Sequence, residues 1–295
     1  MTSQILICTN GFEGSWAAVE YGAWVAEAID APVILLGIYE DAADTATTSR
    51  AHLDDIVARA RDLLRGKGLA YSFEQQAGSA DELIPRAARQ GDCITVLGPL
   101  GRPRLKRLFL GRSIRSLLEE ILTPVVYVPR SCLPLKKMLI CLGGLGYELT
   151  AEHLGLRLGL AAAAEATLLH IAPPVDLDYP TARAERERWR DLIETDTLPG
   201  RNLRVALEQA RASGLNASVK MRQGNVVDEI VAELNAGGYD LICMGSGHSG
   251  HGLRHLYEPN VTDEIAEHAA CPVLTARYAP ESLPTHGRLG EDSAA

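Results

Sequence analysis

The chain has 295 residues and a mass of 31.8 kDa, enough for two domains at the usual size of roughly 100–200 residues each. Hydrophobic residues make up 46% of it and charged residues 23%, a globular balance that excludes disordered and fibrous classes, and aromatics at 5% leave the cores to Ala, Val, Leu and Ile. The net charge of -9 excludes broad binding to nucleic acid or anionic membrane, which both need a basic surface to displace counterions. No apolar run approaches the roughly 18 residues that span a bilayer, and the first strand-like run starts at Ile5, too early for a secretory leader. A soluble, cytoplasmic protein is expected. Cys8, Cys93, Cys132, Cys141, Cys243 and Cys271 sit mostly in apolar runs without a CxxC pair, as buried thiols of a reducing compartment do.

Ile5–Cys8 reads as the first strand and is followed by Asn10-Gly11; behind it Ala18, Tyr21, Gly22 and Val25 share one helix face. A strand at Val33–Ile38, a long helical segment and a third strand follow, then Gly78 and a helix carrying Asp81-Glu82. The strand Cys93–Leu97, a glycine loop, a further helix and a strand at Pro124–Val128 complete this half. The pattern then recurs. Met138–Cys141 with Gly143-Gly144 repeats the first strand at an offset of 133 residues, and the same offset lays Ala151, Leu154, Gly155 and Leu158 on the face of Ala18, Tyr21, Gly22 and Val25. Ala166–Ile171 repeats Val33–Ile38, Gly224 repeats Gly78, and Gly245 and Pro272 repeat Gly98 and Pro124 at offsets of 147 and 148.

This is a tandem duplication, and a glycine at the same point of both helices predicts close packing on a sheet. Short apolar strands without polar alternation, separated by helices, predict a parallel sheet covered on both faces. Each copy is therefore expected to be a doubly wound α/β domain, residues 1–133 and 134–280, with Pro134 breaking the pattern between them and residues 281–295 as a disordered tail. The charged insertion Asp176–Arg201 is expected to be a solvated helix.

In open parallel sheets ligands bind beyond the carboxyl ends of the strands, where the strand order reverses. The segments there are Thr9–Ser15 after the first strand and Leu97–Gly101 after the fourth, the latter leading to Gly111-Arg112-Ser113. Gly98, Gly101 and Gly111 are spaced Gly, two residues, Gly, nine residues, Gly. Glycines let backbone N–H groups approach phosphate oxygens, and the start of the following helix adds a favourable dipole. Arg102, Arg104, Lys106, Arg107, Arg112 and Arg115 make this stretch basic within an acidic protein, which also suits a polyanionic ligand.

In this spacing, and in the run from Asn260 to Cys271-Pro272-Val273, the chain resembles the universal stress protein family over residues 3–130 and 136–277. The resemblance implies two five-stranded sheets of order 3-2-1-4-5, an adenine nucleotide alpha hydrolase-like fold, and pairing of the copies through their last strands as an internal pseudo-dimer. It implies a stress sensor or regulator that binds an adenine nucleotide (ATP, with or without Mg2+), with a protein partner or a second copy as its further partner. The residues it points to are Asn10, Gly11, Ile38, Leu97, Gly98, Gly101, Gly111, Arg112 and Ser113. Two depart from the family pattern. Asn10 stands where nucleotide-binding members usually carry Asp, and its amide oxygen can still accept from an exocyclic amine, so the change costs about 0.5–1.5 kcal/mol. Arg112 replaces Ser or Thr, with Ser113 next to it, and either clamps phosphate or fills the site by its bulk. The second copy departs further, with Gly143 for the Asp, Pro259 for a motif glycine and Asn260 for the Ser, and a degenerate site is expected there. The alternative is a stress scaffold in which both sites are degenerate.

Gly245–Gly250 matches GxGxxG, yet no helix follows directly, so a dinucleotide site is not expected. His248, His251 and His255 crowd the same loop without completing a metal-ligand set and read as a polar loop, while His170 reads as a satisfied core histidine. The chain lacks GxxxxGK[ST], GxSxG and HExxH, so slow ATP hydrolysis is the most catalysis expected.

Overall fold

Ile5, Leu6, Ile7 and Cys8 are all buried, although successive strand side chains point to opposite faces, so β1 (Gln4–Thr9) is covered on both sides. The structure, a computed structural model, describes residues 4–40, 46–101, 114–143, 148–172, 189–246 and 261–277. It divides into two compact units, Met1–Leu133 with Ala269–Ala276, and Pro134–His268 with Arg277–Ala295.

In the first unit β1 lies parallel between β2 (Val33–Tyr39) and β4 (Cys93–Leu97), with Ile5 opposite both Val33 and Ile94. β3 (Tyr71–Ala77) pairs with β2 and β5 (Val125–Tyr127) with β4, both parallel. The order β3-β2-β1-β4-β5 is the one the resemblance implies. β10 (Val273–Ala276), the last strand of the second copy, runs antiparallel to β5 with Leu274 opposite Val126. β3, at the edge, carries exposed Ser72, Glu74 and Gln75, which keeps an open strand edge polar. In the other unit β6 (Lys137–Cys141) lies parallel between β7 (Glu165–Ala172) and β9 (Leu241–Gly245), and β8 (Asn216–Gln223) pairs with β7.

The helices are α1 (Trp16–Ile29), α2 (Ala46–Gly66), α3 (Ala80–Ala88) and α4 (Ile114–Glu120) in the first copy. The second copy has α5 (Leu149–Ala162), α6 (Leu198–Ala212), α7 (Val226–Gly237) and α8 (Val261–His268). The duplication is written into backbone angles as well as apolar spacing. α1 and α5 each have 14 residues and each ends in a left-handed residue other than glycine, Asp30 (φ 53°) and Ala163 (φ 51°). The N–H of each closes the last turn onto two helix carbonyls, which offsets the roughly 1–2 kcal/mol cost of that conformation. Gly78 (φ 144°) and Gly224 (φ 152°) likewise turn the chain at matching points.

The described end of the insertion is a short 3-10 turn, Trp189–Glu194, followed by α6, so it is not one continuous helix there. Arg204 holds the turn down by donating to the Ile193 and Thr195 carbonyls at 2.6 and 2.7 Å, and Thr197 caps α6 by accepting from Gly200 N–H. Residues 281–295 lie outside the described residues. Among the described residues no helix is long and apolar enough to cross a membrane.

The paired helix glycines pack as the sequence predicts. A Cβ on Gly22 would come within 2.7 Å of the Ile7 side chain on β1, and one on Gly155 within 2.8 Å of Cys243 Sγ on β9. Gly22→Val is expected to cost about 1–3 kcal/mol by overpacking, read from the urea unfolding midpoint. Gly66→Ala, where an added Cβ meets nothing within 4 Å, should leave the midpoint unchanged or slightly raised.

Candidate functional site

The strand order of the first unit reverses between β1 and β4, and the loops beyond their carboxyl ends meet there. The loop after β1 is bound to itself. Thr9 Oγ1 and Ser15 Oγ lie 2.7 Å apart in the core, Ser15 Oγ donates to the Phe12 carbonyl at 2.7 Å, and Gly11 N–H donates to Thr9 Oγ1. Gly11 has φ 81°, and a Cβ on it would meet the Leu53 backbone nitrogen of α2 at 2.7 Å, so only glycine serves at this turn.

Asn10 ties three loops together. Its Nδ2 donates to Glu40 Oε2 at the end of β2 and to the Leu100 carbonyl after β4, both at 3.0 Å, while its Oδ1 accepts from Phe12 N–H at 3.3 Å. Glu40 uses its other oxygen, Oε1, to accept from Ala80 N–H at the start of α3. An Asp at position 10 has no hydrogen to give and would set a second carboxylate against Glu40, so an amide at residue 10 and an acid at residue 40 are complementary.

The glycines after β4 are closely covered by the chain itself. A Cβ on Gly98 would lie 3.2 Å from Ala18 Cβ and from Ser15 Cα. Gly101 has φ 66°, and a Cβ there would fall 2.2 Å from Cδ2 of Phe12; one on Gly14 would fall 2.5 Å from Cε1 of the same ring. The Phe12 ring therefore lies between two glycines, one from each loop, and stays 42% exposed. Ile38 and Leu97 are fully buried in the strands behind, so their side chains belong to the core. Gly111, Arg112 and Ser113 lie outside the described residues, as do Pro259, Asn260, His248, His251 and His255. Phe12 and Glu40 were not singled out by sequence reasoning. Their available signals are an aromatic residue between two loop glycines and an acidic residue directly after the second strand.

The second copy builds its corresponding point differently. Glu148 and Glu152 stand where the first copy has Ser15 and Val19, and both are buried, at 7% and 4% exposure. Burial, and then the neighbouring Glu148 charge, push the Glu152 carboxyl up to about 8. A Cβ on Gly143 would lie 3.7 Å from Glu148 Oε2, so this loop faces an acid. His170 is buried with Nδ1 2.7 Å from the Leu142 carbonyl, the satisfied core histidine expected. Thr262 at the start of α8 donates to the Gly245 carbonyl at 2.9 Å. Cys8 and Cys141, at the ends of β1 and β6, have thiols pushed up by burial, Cys141 to about 12, and make poor nucleophiles.

Two outcomes follow from these carboxyl groups. Asn10→Asp should lower unfolding free energy at pH 7 by about 1–3 kcal/mol in denaturant titrations, and by less near pH 4, where the added carboxyl group protonates. The raised Glu152 makes the folded chain keep a proton that the unfolded chain releases near the ordinary 4.5, so stability falls as pH climbs from there to about 8. Glu152→Gln should flatten this fall in unfolding curves taken across that range.

The universal stress protein family model matches residues 1–129 and 134–277. Among solved structures, a universal stress protein from Archaeoglobus fulgidus DSM 4304 superposes with a TM-score of 0.70 at 15% identity, over 95% of this chain and 98% of that one. A putative universal stress protein from Pseudomonas aeruginosa UCBPP-PA14 gives 0.62 at 16% identity, over 93% of each chain. A universal stress protein solved in complex with cAMP matches 49% of this chain and 99% of that one, at 17% identity and a TM-score of 0.38. No curated protein matches. Identities this low show a shared fold, whereas the family model spans both copies almost completely: the chain belongs to the universal stress protein family, with two of its domains in tandem.

Proposed function

We propose that this chain is a stress-response sensor whose first copy binds an adenine nucleotide, ATP with or without Mg2+, and whose second copy has given up that site. The observation that carries this reading is the junction at the strand-order reversal. There Gly98 and Gly101 flank a loop that is hydrogen-bonded through the Leu100 carbonyl to Asn10. The spacing of Gly98, Gly101 and Gly111 is that of the family's nucleotide-binding members. Asn10 would meet the base. Gly98, Gly101 and Gly111 would offer backbone N–H groups to phosphate, with Arg112 and Ser113 beside them. Ile38 and Leu97 would contribute backbone groups only, since their side chains are buried. These residues fit an adenine nucleotide once the Phe12 ring leaves Gly101. In the second copy the Glu148 carboxylate faces Gly143 where the first copy has Ser15, and this supports the loss of that site.

The chain would act through binding and not through bond-making: the loops after β1 and β4 change order on binding and alter the surface shown to a protein partner or a second copy. A ligand-free scaffold is the second reading, favoured by the donors of Asn10 being already used within the protein. Calorimetric titration of ATP with Mg2+ into the full chain decides between them. One saturable site per chain, abolished by Gly111→Leu with the circular dichroism spectrum unchanged, is expected. No saturable binding at millimolar ATP, with or without Phe12 truncated to Ala, contradicts the nucleotide reading.

A further inference from the structure

The loop after β1 and the loop after β4 are held together at two points. One is the Asn10–Leu100 hydrogen bond, and the other is the Phe12 ring, which rests on Gly101 so closely that a Cβ there would fall within 2.2–2.8 Å of three ring atoms. A phenylalanine placed for core packing would be buried; this one keeps 42% of its surface in solvent while its inner side covers a glycine backbone. The backbone around it is braced to hold it there, since Ser15 donates both N–H and Oγ to the Phe12 carbonyl and Asn10 Oδ1 accepts its N–H.

We propose that Phe12 is an internal plug: its ring occupies the crevice between the two loops, and a ligand enters only when the ring lifts off Gly101. This rests on the nucleotide reading of the same crevice. The device is a two-state one. Apparent affinity equals the affinity of the open form scaled by the fraction of chains that are open, so a contact that keeps the ring down lowers affinity without touching the ligand. Gly14 gives the other edge of the ring a similarly close fit, with a Cβ there falling 2.5 Å from Cε1. The ring thus sits in a slot that two glycines, one in each loop, make room for.

The test compares the full chain with its Phe12→Ala and Phe12→Leu variants, titrated with ATP and Mg2+ and followed by stopped-flow mixing. Because the ring is partly exposed, the Ala variant should keep the fold, which circular dichroism and the urea midpoint verify. Phe12→Ala is expected to bind about tenfold more tightly, the equivalent of about 1.4 kcal/mol, through a faster association rate. Phe12→Leu, which still covers Gly101, should fall between the two. Equal affinity in all three chains overturns the plug and leaves the nucleotide reading standing. Weaker binding by Phe12→Ala also overturns it and makes the ring a ligand contact. No binding by any of them at millimolar ATP removes the nucleotide reading and the plug together.

Discussion

The hydrogen bonds of one side-chain amide join the parts of the first copy that a doubly wound sheet leaves apart. At a strand-order reversal the chain leaves adjacent strands in opposite directions, so the two loops there share no helix to brace them. Asn10 supplies the brace, with one hydrogen to Glu40 and the other to the Leu100 carbonyl, and Glu40 passes the connection on to the first turn of α3. Leu100, next to Gly101, and Phe12, whose N–H Asn10 Oδ1 accepts, are both held at that junction. An acid at position 10 would repel Glu40, and a shorter or apolar side chain would release both loops.

The two copies share a backbone plan and differ in what they bury at the same place. Left-handed Asp30 and Ala163 close equivalent helices, and Gly22 and Gly155 let equivalent helices settle on their sheets. The first copy then fills the space behind its switch point with the neutral pair Thr9 and Ser15. The second places Glu148 and Glu152 at the positions of Ser15 and Val19, at a cost that shows in the raised Glu152 carboxyl. Burying an acid is expensive unless it is neutralised, and the raised Glu152 carboxyl keeps its proton at neutral pH.

The fold was legible because duplication doubles the signal: apolar runs that are ambiguous singly become strands when the same run returns 133 residues later. Strand order was legible only through the family resemblance, since periodicity does not say which strands are neighbours. At the candidate site, the spacing of Gly98 and Gly101 pointed to the loop that lies beside Asn10 at the strand-order reversal. What those glycines make room for, Ala18 and the Phe12 ring, was hidden, because spacing carries no information about which side chain will approach from another loop. Glu40 was hidden for the same reason, its role being set by partners 30 and 40 residues away in sequence. Nothing in the sequence separates Glu148 and Glu152 from acids favoured at the start of a helix, and only the fold buries them.

The central claim is that the first copy, and not the second, is the ligand-responsive half. Hydrogen exchange of the full chain with and without ATP and Mg2+ tests it most directly, because each copy reports separately within one molecule. The account predicts altered protection at residues 9–15 and 97–101 and none at residues 141–152. Altered protection confined to the second copy, or none in either at saturating ATP, would contradict it.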